Sequence, residues 1–584
     1  MDHQVDLAQY LFTRLAEIGV GSVHGVPGDY NLTALDYLEP AGLHWVGNAN
    51  ELNAGYAADG YARIKGIAAL ATSFGVGELS TINAIGAAYA EKAAVVHIVG
   101  TPPRASRNAG ACLHHSLGDG NFRVFADMYK AVTVAQANLT DANTAAQLID
   151  AALKECLLQS RPVYIEMPTD MVTAKVAPPA SPLDLSIPGH DEAFEDRMVG
   201  EVLTRMLSAK RPLILVDGFT ARFDIRDEVN ELVAVTKFPT LTTPFGKSIV
   251  QETLPNFHGI FSGLAGDPAQ QKWVQDCDLV LRFGPLDSDF NTFGFTAQPN
   301  PQVTITFERH SIQLRPTETS LPTSSPKPPS ISTKSLLQKL LKQLSAPAIQ
   351  LPTPHPFLAS AAAAPQALPP PPPSSSPITH RAFWPRLSAF LRPADVLLTE
   401  TGTCTYGGQT LGPLPPSTTL INSAIWLSIG YALAAAQGAA LAQRDGDRRG
   451  RTIVFEGEGS FQMTAQAVSD VVRNRLDVVV FVVNNDGYAV ERLIHGFGAG
   501  YNEVQPWRYG EAAGFFGAPV GEAGYPVRVR RAETWGELEE VLGEEGVGEG
   551  KGLVVVEVIM GVADAPEAFI KFAEYIERRN KGGV

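Results

Sequence analysis

Hydrophobic and polar positions follow two alternating rhythms along this chain. Short β-branched runs end at Gly or Pro, and Ala-rich segments with helical apolar spacing follow them. GVGSVHGVPG (19–28) reads as a strand and turn, ELNAGYAADGYARIKG (51–66) as a helix, and AAVVHIVGTPP and RPVYIEMP as strands stopped by proline. A connector at 177–192 precedes a second series: RPLILVDGF, CDLVLRFG and PQVTITFE. A third follows with ADVLLTETGT, RTIVFEGEGS, LDVVVFVVNND and GLVVVEVIM. Alternation of this kind predicts an α/β protein whose parallel sheets are flanked by helices on both faces. The first and third series share a strand-turn-helix rhythm, as if one fold were used twice. IWLSIGYALAAAQGAALAQ (425–443) is Ala/Gly-rich and broken by Ser and Gln, so it predicts a buried helix and no membrane span.

Residues 315–378 break the rhythm. PTETSLPTSSPKPPS and APQALPPPPPSSSP enclose a helical TKSLLQKLLKQL, and Pro/Ser-rich chain of this kind prefers extended polyproline II to a packed core. The predicted organisation is three domains, 1–185, 192–345 and 381–584, with an interdomain linker at 346–380. The length of 584 residues agrees, being too great for one core. Composition excludes several function classes. A net charge of −15 argues against nucleic acid and anionic membranes as partners. Four separated cysteines without a CxxC pair argue against a disulfide framework or structural zinc, and fit a reducing, cytoplasmic setting. The acidic start MDHQVDLAQYLF lacks the basic flank and apolar core of a signal peptide.

The candidate chemistry begins where RTIVFEGEGS places Glu458 between Gly457 and Gly459, before Ser460. A helix over FQMTAQAVSDVVRNRL, with Phe461, Val468, Val471, Val472 and Leu476 inward, leads to the strand DVVVFVVNNDGY. One right-handed crossover would bring Glu458 and Asn485 to the same carboxyl edge of a parallel sheet. A carboxylate, an amide oxygen and a carbonyl at Gly487 are hard ligands suited to Mg²⁺ or Ca²⁺, while the glycines admit phosphate oxygens to backbone N–H groups. By itself GEGS also reads as an ordinary turn.

GxGS followed by NN resembles the signature of thiamine-diphosphate (ThDP) enzymes. VVNNDGYAVERLIHG resembles the pyruvate decarboxylase family more closely, as do HGVPGDYNLTALDYL, GNANELNAGYAADGYARIKG, SFGVGELSTINAIGAAYAEK, LHHSLGDGNF and SDFNTFGF. The resemblance covers the chain apart from the Pro/Ser linker. It implies a pyrimidine-binding, a central and a diphosphate-binding domain, with ThDP and Mg²⁺ as cofactors. The implied reaction is non-oxidative decarboxylation of a 2-oxo acid, pyruvate to acetaldehyde and CO₂, through a cofactor carbanion and enamine. Glu51 would hydrogen-bond the aminopyrimidine. Asp29, His114, His115 and Glu491 would handle protons. Thr403, Leu427, Ser428, Ile429, Gly457, Glu458, Gly459, Ser460, Asn485, Gly487, Tyr488 and Val490 would surround the cofactor, with Glu458, Asn485 and Gly487 on the metal. The family's sites form between subunits, so a homodimer or homotetramer is implied.

Read without the family, Glu51 is equally a helix cap or ion-pair member and Asp29 an N-cap. Adjacent His114 and His115 would diverge on a helix or strand, which disfavours a metal pair and makes at least one of them a core histidine while one faces the site. Three departures stand out. Glu458 replaces the family's usual aspartate. Phe219-Thr220 stands where substrate-activated members carry a regulatory cysteine, with Lys92 in place of a common histidine. Val490 replaces a larger Ile, which would widen the pocket toward longer 2-oxo acids, with Phe295 and Tyr406 as further walls. A decarboxylase of indolepyruvate, phenylpyruvate or branched-chain 2-oxo acids, or a non-catalytic paralogue, are the alternatives. A carboligase lacks the HH pair, and GVGELS is no dinucleotide fingerprint.

Overall fold

The structure is a computed structural model that describes residues 4–314, 329–353, 370–446 and 448–582. The Pro/Ser-rich stretches 315–328 and 354–369 lie outside the described residues. Three six-stranded sheets succeed one another along the chain. The first runs His44–Trp45, Ser22–Gly25, Ala68–Ser73, Val95–Thr101, Val163–Pro168, Gln136–Asn138, all parallel. The third runs Thr419–Ile421, Val396–Thr399, Thr452–Gly457, Val478–Asn484, Leu553–Ile559, Val527–Ala532, also all parallel. Numbered within each sheet, both have the order 2-1-3-4-6-5, so one topology does occur twice in the chain. The middle sheet has the order 3-2-1-4-5-6, and its last strand, Ile312–Leu314, is antiparallel where an all-parallel sheet was expected.

Central strands read clearly because they are buried on both faces and become continuous β-branched runs. Val478 to Val483 are all fully buried. Several strands that the pattern misses are short or at edges, such as His44–Trp45, Gln136–Asn138, Thr419–Ile421 and the arginine-bearing Val527–Ala532, but the central, Ala-rich Ala68–Ser73 is missed as well. An edge strand keeps one side in water and tolerates charge there.

Two expectations about helices change. In 425–443 only Tyr431–Arg444 is helical; the preceding residues form a loop with Leu427 at φ 55° and Gly430 at φ 83°. Left-handed backbone of this kind stops a helix from starting earlier. The crossover predicted as one helix over 461–476 is two, Glu458–Thr464 and Ala467–Arg473. The Thr464 hydroxyl donates to the Gly430 carbonyl at 2.7 Å, tying the end of the first to the loop. Helix Thr333–Leu344 packs Leu336, Leu337, Leu340, Leu341 and Leu344 into the middle core, so these turns are structural despite their Pro/Ser-rich flanks. Among the described residues no helix is long and apolar enough to cross a membrane.

The first and third sheets meet through Glu51–Lys65 and Tyr431–Arg444. A Cβ at Gly60 would collide with the Ala435 carbonyl, and one at Gly438 with that of Ala57. The reciprocal glycines explain the Ala/Gly richness of both segments: the helices touch backbone to backbone.

Candidate active site

Strands Val396–Thr399, Thr452–Gly457 and Val478–Asn484 are adjacent and parallel, so their following turns gather on one sheet edge. Glu458, nearly fully buried, opens a helix there. Its Oε1 accepts the Gly487 N–H at 2.6 Å and its Oε2 the Asn485 N–H at 3.4 Å. Burial pushes this carboxyl's pKa up, and the two N–H groups oppose the shift. Asn485 is buried with one end of its amide unpartnered. Because an amide presents nitrogen or oxygen by flipping, that orphan atom can serve as an oxygen ligand. Gly487 has φ 125°, and a side chain there would strike the Arg492 guanidinium and the Asn502 carbonyl. The Tyr488 ring lies against Gly459, where a Cβ would not fit. Thr403 begins a helix after Gly402 (φ 105°), against which Val490 packs. The cradle of glycines, N–H groups and hard oxygen donors fits a metal-bound diphosphate.

Leu427, Ser428 and Ile429 lie half-buried in the loop before helix Tyr431–Arg444. Ser428 Oγ accepts the Tyr56 hydroxyl at 2.7 Å, and the Leu427 N–H donates to Ser423 Oγ at 2.8 Å. Glu91, from the first domain, accepts the Ser423 hydroxyl at 2.5 Å and the Ala424 N–H at 2.9 Å. It is itself paired with buried Arg63 at 2.8 Å, and that guanidinium helps hold its carboxyl below the usual range against burial. Behind the loop, fully buried Glu400 faces Glu456. No ion pair reaches either among the described residues; burial raises the pKa of both, and the two side chains hydrogen-bond each other, which requires a proton between them.

A second cluster lies in the first domain. His114 Nε2 and Asp29 Oδ2 are 2.7 Å apart, and the His114 ring stacks on Tyr30 at 4.9 Å. The His115 ring stands 4.8 Å from that of His114. Both histidines sit in a turn, with His115 at φ 64°, so the divergence expected of a helix or strand does not arise and neither is a core residue. Ligand atoms of Asp29, His114 and His115 all lie within 4.8 Å of one another. Asp29 is no N-cap: Asn31 precedes the next helix and accepts the Gly28 N–H at 2.9 Å. Glu51 opens helix Glu51–Lys65, which the Asn50 side chain caps through the Asn53 N–H at 2.8 Å. Its oxygen abuts Gly77, and burial raises its pKa. Asp470 reaches from the third domain to the Ala49 N–H at 2.9 Å, two residues before Glu51. Glu491 is exposed in the first turn after Tyr488.

Three family models match in order: the thiamine pyrophosphate enzyme N-terminal TPP binding domain at residues 5–121, its central domain at 199–324, and its C-terminal TPP binding domain at 400–558. The chain belongs to the thiamine pyrophosphate enzyme family. It is 44% identical over 579 residues to a pyruvate decarboxylase of Aspergillus fumigatus, covering 99% of this chain and 98% of that protein. It is 45% identical over 578 residues to one of Aspergillus parasiticus, covering 97% and 96%. Among solved structures, one described as a putative thiamin diphosphate-dependent enzyme from Mycobacterium smegmatis superposes with a TM-score of 0.74 at 18% identity, over 95% of this chain and 99% of that one. That likeness concerns the fold alone.

Within the family frame, the departures acquire surroundings. Phe219 is buried, and Lys92 Nζ sits 4.4 Å from its ring centroid and 4.6 Å from that of Phe223. A cation–π contact therefore occupies the position where substrate-activated members would carry the thiol. The two side chains expected as pocket walls lie in different settings. Phe295 lies on the surface at φ 65°, and Tyr406 is sealed among Phe290, Phe293, Phe569 and Phe572. Among the described residues of one chain, no hydrogen bond, ion pair or ring contact joins Asp29, His114 and His115 to the Glu458–Asn485 turn. Glu91, Glu400 and Asp470 escape a sequence reading, because a lone acid in a helix or strand carries no signal until its distant partner is known.

Proposed function

We propose that the protein is a ThDP-dependent decarboxylase of 2-oxo acids, converting pyruvate to acetaldehyde and CO₂. The observation that carries this is identity above 40% across essentially the whole chain to curated pyruvate decarboxylases, in a chain that retains the acid–base cluster. Glu458, Asn485 and the Gly487 carbonyl would hold Mg²⁺, with Thr403, Gly457, Gly459, Ser460 and Tyr488 around the diphosphate. Leu427 and Ser428 would border the aminopyrimidine, with Ile429 and Val490 against the rings. When bound, ThDP supplies an electron sink at its thiazolium ring.

The chain's own groups handle protons and water. Glu51, whose raised pKa favours the protonated form, suits a carboxyl that holds a proton against a ring nitrogen. Asp29 and His114 already share a hydrogen bond and can pass a proton between Oδ2 and Nε2; His115 and Glu491 would complete the set. Among the described residues of one chain no hydrogen bond, ion pair or ring contact joins the two clusters, which is in keeping with a site completed by a second copy, in a dimer or tetramer. The net negative charge and four free cysteines fit a cytosolic enzyme.

Acetaldehyde formation from pyruvate by purified protein with ThDP and Mg²⁺, followed by coupled NADH oxidation, tests this reading. Absence of product at saturating cofactor would overturn it. A preference for larger 2-oxo acids rests on Val490. A kcat/KM panel over pyruvate, phenylpyruvate, indolepyruvate and branched-chain acids separates the two readings.

A further inference from the structure

We propose that Glu400 is a positioning residue that assembles the cofactor pocket by tying its two cofactor-facing turns together. Its Oε1 accepts the Thr401 N–H at 2.6 Å, at the start of the turn leading to Thr403. Its Oε2 accepts the Ala432 N–H at 2.9 Å, in the first turn of the helix entered through Leu427–Ile429. One carboxylate therefore spans segments 31 positions apart in the chain.

Its backbone anchors it as well. The Glu400 N–H donates to the Phe455 carbonyl at 3.0 Å, and the Glu400 carbonyl accepts the Thr405 hydroxyl at 2.7 Å. The neighbouring turn is tied to the same junction, since Thr464 holds the Gly430 carbonyl. The strand leading into Glu400, the loop ending in Gly430 and the helix opened by Glu458 thus form one locked unit. Hydrogen bonds from N–H groups to a buried carboxylate are stronger than neutral ones, and an N–H deprived of its acceptor in a dry site is costly.

The residue touches no reacting atom, so its effect is on assembly of the site. Glu400→Gln has one carbonyl oxygen where two N–H groups need acceptors, and its NH₂ faces the other donor. Glu400→Asp keeps the carboxyl group but withdraws both oxygens by about one bond length.

The inference rests on the ThDP reading above, and the experiment separates them. Titration calorimetry of ThDP into apoprotein at saturating Mg²⁺ is paired with melting of the apoproteins. Wild type should bind ThDP; if it does not, the functional reading itself fails. Given wild-type binding, Glu400→Gln should weaken ThDP at least about tenfold and Glu400→Asp about three- to tenfold. The Glu400→Asp apoprotein should melt within a few degrees of wild type. With ThDP saturating, kcat should fall less than affinity does. If Glu400→Gln does not fold, Glu400→Asp decides. Affinities within about twofold of wild type, or losses matched by equal loss of apoprotein stability, would overturn the proposal.

Discussion

Glu458 Oε1 accepts the backbone N–H of Gly487 at 2.6 Å, so the acid of the GEGS turn is already fastened to the loop whose carbonyl is its expected co-ligand. The additional methylene relative to aspartate carries the carboxylate onto that N–H group. Octahedral Mg²⁺ at about 2.0–2.1 Å tolerates little misplacement, so the metal competes with the N–H for the same oxygens. Glu458→Asp should release the N–H contact and lower the Mg²⁺ concentration for half-maximal ThDP binding severalfold. Equilibrium binding across an Mg²⁺ series checks this; an unchanged midpoint would show that the methylene is immaterial.

Asp29 and His114 share a hydrogen bond, so they are expected to act as one unit. Asp29→Asn and His114→Gln should each lower kcat by about 10²–10⁴. The double variant should lose little more than either single one, because the second change removes a proton path already cut. ThDP affinity should stay near wild type, since the role proposed for both side chains is proton transfer and not holding the cofactor. Steady-state kinetics of the cycle, with calorimetric ThDP binding, provide both readouts.

Sites shared between copies predict complementation. Glu51→Gln and Glu458→Ala should each be inactive alone. Mixed after dissociation and reassociation, they should recover about a quarter of the wild-type sites, because half of random dimers are mixed and each mixed dimer has one intact site. Recovery of no activity, from preparations shown by native mass spectrometry to be mixed, would place each site within a single chain.

The pH dependence of stability should carry the signature of Glu78. This buried carboxyl accepts the Gly75 N–H at 2.7 Å and the Tyr164 hydroxyl at 2.7 Å, facing Glu166 and Arg123. Burial pushes its pKa up to about 7, from 4.5. Between those values the folded state holds a proton that the unfolded chain has lost, so its stabilisation is full below about 4.5 and declines as pH rises toward 7. Glu78→Gln removes that term. Thermal melts from pH 4.5 to 8 should show a shallower decline for the variant than for wild type, with the gap opening as pH rises. Parallel curves would refute the assignment.

Much of the fold was legible because burial on both faces writes itself into the chain. The Val run at 478–483 could only be a central strand, and the glycines of GEGS and NNDG mark its ligand-facing edge. Glu458 and Asn485 were paired from the rule that parallel neighbours connect by a right-handed crossover. The doubled order of the first and third sheets showed only as a shared rhythm, since strands such as His44–Trp45 and Thr419–Ile421 are too short to pattern.

The linear sequence by itself determined which residues could do the chemistry: the acids, histidines, amide and glycines, placed at the ends of strands it also specified. Tertiary structure alone decided what each touches. A left-handed turn at His115 brings both histidines to Asp29, where adjacency suggested divergence. Tyr406, expected beside the pocket, is sealed among four phenylalanines. Glu91, Glu400 and Asp470 hold backbone N–H groups of segments remote in the chain. A carboxylate's partner is chosen by distance in space, and no local pattern of polarity encodes that distance.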